Sequence, residues 1–558
     1  MLLPLFTKLD SDSSLSSTSW FYGILQNIFN YFGLNGSYLK IFLVLILAYI
    51  LKGILLFLAN YLRAIYTGEL LKVLKSKLFK AYTDMKYSYY LKNDSGHFVS
   101  LINEEINRSI QSFDRLTSVG LRAIYGVIYL SLGCFTSPRL GLISLVGGFF
   151  ILTLFKSINN YVTKLSVKRA GENGYLSKLI IQIILSFKYL KATGGMNYLQ
   201  NDILESINLL SSYQAGTGIA SGFSKAVREP IVIIFMFTIV IYEVVILDQP
   251  IAPILISIVL FYKGLNSIVG IQGLWQDTLQ YMGSTEVVHN EFNTLNDNSE
   301  RRGGIPIKTF SNYIEFKNVY FSYSDENEYV INDLTLKINK LTTVALIGSS
   351  GAGKSTIADL ISFIIKANKG DIFIDGKNIN QICIDQWRNQ ISYVSQDSVI
   401  FDNTIAFNIC MKAIDINNEY ILYNEVKAAA KKASIDEFIE ALPNGYETVV
   451  GERGLRLSGG QKQRLFIARE IFKKPRLLIL DEATSSLDSK SELLINNSLD
   501  TLRGETTILI IAHRLSTIKN VDYLYILERG KIIEKGTYKK LKSDRDSYLS
   551  KLISLQEL

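Results

Sequence analysis

The chain of 558 residues holds only three cysteines, three histidines and eight prolines, and charged residues make up 20% of it. Cys134, Cys383 and Cys410 are scattered without a C-x-x-C spacing. That excludes a disulfide framework and a zinc pattern, and fits a reducing cytoplasm or a membrane interior. His97, His289 and His513 form no ligand cluster, which excludes a metal centre built on histidine. The scarcity of charge excludes an ordinary soluble enzyme. Hydrophobic residues reach 48% and mean hydropathy is +0.19, so part of the chain belongs in lipid. Residues 1–9 lack a basic stretch, which disfavours a cleaved signal peptide.

What is present is a set of long apolar runs. Residues 38–62, 116–135, 140–155, 230–247 and 251–271 give about five spans of the length a bilayer requires. Ser137-Pro138-Arg139 and Asp248-Gln249-Pro250 are the turns between neighbours. The net charge of +8 could signal nucleic acid, but its placement argues for membrane topology. Lys and Arg concentrate in residues 63–115 and 156–228, which the positive-inside rule puts in the cytoplasm. Both segments keep a helical alternation and read as bent extensions of the membrane helices. Inside the spans stand Lys52, Glu243 and Lys263; each could line a substrate path, and Lys263 can equally snorkel. Residues 20–32 fit an interfacial helix or a lid. Five spans would leave Met1 outside, so a first span is expected to be missing or reduced to residues 2–9.

Hydrophobic periodicity stops near residue 290. The expected domains are a transmembrane domain at 1–290 with cytoplasmic helical extensions, a linker at 291–311 and an α/β domain at 312–558. Strands are expected at 312–323, 330–338, 344–347, 371–374, 391–394, 477–480 and 507–511, with a helix at 357–365.

Between the strand at 344–347 and that helix lies Gly348-Ser349-Ser350-Gly351-Ala352-Gly353-Lys354-Ser355-Thr356, which fits the phosphate-loop pattern G-x-x-x-x-G-K-[ST] in its required strand, loop and helix setting. Glycines let successive N–H groups face phosphate oxygens, and the helix N-terminus adds partial positive charge. Lys354 would reach the β- and γ-phosphates and Ser355 would put its hydroxyl on Mg²⁺. The apolar run at 477–480 ends in Asp481 and Glu482. Asp481 is placed to hold Mg²⁺ through water, and Glu482 to orient or deprotonate an attacking water.

Together with Leu457-Ser458-Gly459-Gly460-Gln461, these motifs resemble the ATP-binding cassette superfamily over nearly the whole second domain. The resemblance implies that Ser458, Gly459, Gly460 and Gln461 form the signature that meets the γ-phosphate bound by a second subunit. It also implies that Tyr323 stacks on adenine, Gln396 senses Mg²⁺, Asp488 lies on a loop crossing the dimer interface, and His513 contacts the γ-phosphate. The motif Val450-Gly451-Glu452-Arg453-Gly454 resembles the mark of exporters, and membrane domain before nucleotide domain is the half-transporter arrangement of type IV exporters, which expects six spans. By the same resemblance residues 94–105 and 181–190 would be coupling helices. Leu341-Thr342, Ser395 and Ser486 depart from common family residues without removing a catalytic group.

Phosphate loop and signature of one chain cannot face the same phosphate, so two copies must pair. With every motif intact, a homodimer with two active sites in the plasma membrane is the simplest expectation, its nucleotide domains in the cytoplasm and no nucleic acid among its partners. The Ser-rich start followed by residues 20–32 resembles the external-helix region of lipid-linked oligosaccharide flippases. Peptide and multidrug exporters stay open, as does an ATP-gated membrane protein, against which Glu482 and His513 speak. Non-transport members of the superfamily lack spans.

Overall fold

The computed structural model describes residues 38–248, 251–300, 303–323, 329–397, 399–412, 420–482, 489–512 and 514–556. The expected stub at 2–9, the helix at 20–32, and site residues Asp488 and His513 lie outside them. The chain divides into two compact units, Met1–Glu300 and Arg301–Leu558.

The first unit is helical. Its elements are α1 (Tyr38–Thr83), α2 (Tyr87–Lys92), α3 (Ser95–Ser100), α4 (Ile106–Thr136), α5 (Pro138–Leu154), α6 (Lys156–Leu185), α7 (Phe187–Thr193), α8 (Met196–Ile241), α9 (Ile251–Leu279) and α10 (Met282–Asp297). Among the described residues four helical stretches are long and apolar enough to cross a membrane: Phe42–Thr83, Ser95–Thr136, Pro138–Leu185 and Met196–Ile246. The fifth expected run falls on α9. α1 runs unbroken from the apolar residues into a Lys-rich end. Pro138 opens α5 at a position where its missing N–H costs nothing. The chain reverses after α7 at Gly194, whose φ of +70° only glycine adopts cheaply.

Leu130, Leu140, Ile151, Phe155, Val232, Phe261 and Leu265 form the core of the apolar end. A second cluster, Leu78, Tyr89, Leu101, Ile106, Val288 and Leu295, fastens the far end of α1 to α2, α4 and α10. That cluster corrects the expected linker at 291–311. Its first residues belong to α10, because Ser284, Val288, Glu291 and Leu295 recur at helical spacing and are buried on one face.

The second unit holds two sheets. The strands are β1 (Tyr313–Phe321), β2 (Ile331–Asn339), β3 (Thr343–Gly348), β4 (Lys369–Ile374), β5 (Lys377–Asn378), β6 (Ile391–Val394), β7 (Leu477–Asp481), β8 (Thr507–Ile511), β9 (Tyr523–Glu528) and β10 (Lys531–Gly536). The smaller sheet has the order β2-β1-β4-β5 and is antiparallel. The larger has the order β10-β9-β3-β8-β7-β6 and is parallel from β9 to β6. β3, β7 and β8 are almost wholly buried, as continuous apolar runs in a covered parallel sheet should be. Parallel register sets the carboxyl ends of β3, β6, β7 and β8 along one edge, where ligands of open α/β sheets bind.

Candidate nucleotide site

At that edge β3 ends in Gly348, and the chain loops into helix α11 (Lys354–Ile361). The helix begins three residues earlier than its apolar pattern suggests, because Gly353 takes φ +95° and frees the backbone to turn directly into it. A side chain at Gly353 would also meet Ile331 Cδ1 at 2.6 Å. Ser349, Ser350 and Gly351 are exposed at the tip, while Ala352 and Thr356 are buried beneath. Lys354 Nζ donates to the carbonyls of Gly348 and Ser349, each at 2.9 Å, so its ammonium group sits inside the loop. Burial lowers its pKa, and the charges of Glu482 and Asp481 oppose that shift.

Asp481 closes β7 and is 8% exposed. Ser355 Oγ donates to Asp481 Oδ1 at 3.1 Å, and Tyr393 Oη donates to Oδ2 at 3.1 Å. Burial raises the Asp481 pKa, and these two donors counteract it. Asp359, on α11, is pushed up to about 6 by burial and by the charge of Asp481. Glu482 follows with φ +50°, a left-handed conformation uncommon outside glycine, and its N–H bonds the carbonyl of Ile511 at 3.2 Å. Strained backbone of this kind gathers at functional sites.

Tyr323 is 56% exposed, with its ring edge-on to Phe321 at 4.8 Å and its hydroxyl 3.3 Å from Thr356 Oγ1. The face of an exposed aromatic ring beside the phosphate loop is a platform for a base. Gln396 is exposed in the bend after β6, which Ser395 closes by donating to the carbonyl of Asp397 at 2.8 Å.

The signature heads its own helix, α12 (Gly459–Phe472), through a capping box: the Gln461 N–H donates to Ser458 Oγ at 3.3 Å and the Ser458 N–H to Gln461 Oε1 at 2.8 Å. Ser458 and Gly459 are exposed, Gly460 is buried, and the space in front of Gly459 is open. The helix N-terminus therefore presents donors outward. Among the described residues no hydrogen bond joins the signature to the phosphate loop.

Two buried polar contacts escaped sequence reasoning. Tyr393 looks like one more residue of an apolar strand. Arg469 lies inside the buried face of α12, where its guanidinium donates to the carbonyls of Asn408 (2.6 Å) and Val399 (2.7 Å) and to Asn408 Oδ1 (2.8 Å). An arginine amid Phe466, Ile467, Ala468 and Ile471 was the available signal.

Comparison with known families fits this geometry. Residues 2–266 match the ABC transporter transmembrane region and residues 331–485 the ABC transporter family. The chain belongs to the ABC transporter family. As an ABC transporter it joins a helical membrane domain to an ATP-binding domain and uses ATP to drive transport. It is 33% identical over 94% of its length, and 89% of the relative's, to the "ATP-dependent lipid A-core flippase" of Haemophilus influenzae (strain 86-028NP). It is 30% identical to the "Heterocyst differentiation ATP-binding protein HepA" of Nostoc sp. (strain PCC 7120 / SAG 25.82 / UTEX 2576) over 87% and 80% of the two chains. Among solved structures, a bacterial Atm1-family ABC exporter with ATP bound superposes with a TM-score of 0.82 at 24% identity, covering 96% of this transporter and 94% of that chain.

Proposed function

We propose that this ABC transporter flips or exports a lipid-like molecule, with a lipid-linked oligosaccharide the best candidate, across the plasma membrane. It does so as a homodimer with its nucleotide domains in the cytoplasm. The observation that carries the reading is a pair of arginines packed on one turn of α9. At Gly270 a side chain would lie 2.7 Å from Arg122 Nε, and at Gly273 one would lie 2.8 Å from Arg228 Cζ. Arg228 Nη2 also donates to Gln276 Oε1 at 3.1 Å. Arg122 from α4 and Arg228 from α8 thus both pack on this stretch of α9, and guanidinium groups suit an anionic phosphate better than a neutral or cationic cargo. The name of the Haemophilus relative, a lipid A-core flippase, supports the same class of cargo.

In this reading Gly348, Ser349, Ser350, Gly351, Ala352, Gly353 and Thr356 surround the phosphates, Lys354 bridges the β- and γ-phosphates, and Tyr323 stacks on adenine. The hydroxyl of Ser355 and the carboxylate of Asp481 are hard oxygen donors 3.1 Å apart, a pair that fits Mg²⁺, and Gln396 would complete the set. Mg²⁺ bound there neutralises charge on the phosphates. Glu482 orients or deprotonates water, His513 contacts the γ-phosphate, and Ser458, Gly459, Gly460 and Gln461 of a second copy close the site, with Asp488 at the interface. ATP binding draws two copies together, and hydrolysis releases them.

The test is ATP-dependent flipping of a fluorescent polyprenyl-diphosphate glycan in proteoliposomes, wild type against Glu482→Gln. Flipping that the variant loses is the expected result. Hydrolysis without flipping would overturn the cargo and leave peptides, drugs or ATP gating to be examined.

A further inference from the structure

We infer that Tyr393 is a positioning residue for the metal site, acting through Asp481; the inference rests on the proposal that Asp481 and Ser355 hold Mg²⁺. The geometry follows from strand register. β6 and β7 are parallel neighbours with Tyr393 opposite Ile479 and Val394 opposite Leu480. Side chains two residues apart share a face of a strand, so Tyr393 projects on the same face as Ile479 and Asp481. Two residues of strand advance roughly 6.6 Å, about the reach of a tyrosine from Cα to hydroxyl. The phenol therefore meets the last residue of the neighbouring strand, donating to Asp481 Oδ2 at 3.1 Å.

Both oxygens of Asp481 are thus tied, Oδ1 by Ser355 and Oδ2 by Tyr393. The two ties are not equivalent. Ser355 would itself be a metal ligand in the proposed site, so its hydroxyl would serve the cation through a lone pair as well as Oδ1 through its proton. Tyr393 is not among the proposed ligands. Its bond to Oδ2 would orient the carboxylate plane from outside the ligand set, in the way outer hydrogen bonds orient metal ligands elsewhere. Without that donor a carboxylate 8% exposed would be freer to rotate. Tyr393 also stands three residues before Gln396, so the segment that carries Gln396 is held to the end of β7 by the same bond.

The experiment uses the full-length transporter in detergent and the Tyr393→Phe variant, which keeps the ring and removes only the donor. Affinity for a fluorescent ATP analogue is measured first in EDTA and then across a Mg²⁺ titration, with Mn²⁺ binding followed by electron paramagnetic resonance. The expected result is equal affinity in EDTA and a Mg²⁺ midpoint shifted upward about 10-fold, the lower end of what loss of such a hydrogen bond costs a metal site. The Mn²⁺ signal should weaken in parallel. An unchanged Mg²⁺ midpoint would overturn the inference, as would an equal loss of affinity in EDTA, which marks a packing role. If the wild type itself shows no Mg²⁺ dependence and no Mn²⁺ signal, the metal reading beneath the inference fails instead. A matching thermal unfolding midpoint in EDTA confirms that the variant is folded.

Discussion

His97 Nε2 lies 2.9 Å from Glu291 Oε2, joining α3 to α10 across 194 positions of chain. Tyr89 Oη donates to the same oxygen at 3.0 Å, and Glu291 is 5% exposed. Burial, then the neighbouring carboxylate, raises the Tyr89 pKa, so the phenol stays a donor at any physiological pH. Truncating the carboxylate leaves buried donors without an acceptor, which costs about 1–3 kcal/mol. Glu291→Ala is therefore expected to lower the unfolding midpoint of the purified transporter by several degrees, and Glu291→Gln by less. Equal midpoints for all three proteins would refute this.

Gly96 is held against α6. A Cβ there would stand 2.6 Å from the Cα of Lys178, and backbone cannot give way as a side-chain end can. The neighbouring Asp94 accepts an ion pair from Lys178 at 2.9 Å, which fixes the same approach. Gly96→Ala should cost about 1–3 kcal/mol by overpacking and reduce the yield of folded protein. Asp94→Ala, which loses only a partly exposed ion pair, should cost under about 1 kcal/mol. Gel filtration and thermal unfolding separate the two.

Lys354 and Glu482 should fail in different ways. Lys354→Ala empties the phosphate loop of the cation bonded to Gly348 and Ser349 and is expected to abolish ATP binding. Glu482→Gln keeps the side-chain shape on a backbone already at φ +50°. It should bind ATP with near-normal affinity and lose at least about 100-fold in turnover. Comparable turnover in Glu482→Gln and wild type would remove Glu482 from the chemistry.

Asp359 gives a dependence on pH. Its pKa rises from the ordinary 3.8 to about 6 on folding, so the folded domain holds the proton more tightly than the unfolded chain. The contribution of Asp359 to stability is then highest below pH 3.8 and declines as pH rises toward 6, beyond which the loss is complete. Asp359→Asn removes that loss. Without nucleotide it should be more stable than wild type at pH 7.5 by about 1 kcal/mol, after solvent screening of a partly exposed site, and the difference should shrink as pH falls below 6. A difference independent of pH would show that ionisation of Asp359 is not its cause.

The phosphate loop, the strand ending in Asp481 and Glu482, and the signature helix were legible because each is a local pattern: glycines where the backbone must turn, apolar runs where a strand is buried, a capping pair three residues apart. The spans were legible by length and hydropathy. The early start of the expected linker had a physical cause. Polar residues on the exposed side of α10 mask a buried stripe whose partners, such as Leu78 and Ile106, stand far away in the chain.

Sequence by itself determined the class of this protein and the order of its two domains, and picked out the residues of the proposed phosphate site, since those follow from local composition and spacing. Tertiary structure alone decided that Tyr393 reaches Asp481, that Arg469 ties α12 to the carbonyls of Val399 and Asn408, and that His97 meets Glu291. Each of those contacts joins residues 61 to 194 positions apart, where strand register and helix packing, not local pattern, set which side chains come within a hydrogen bond of one another.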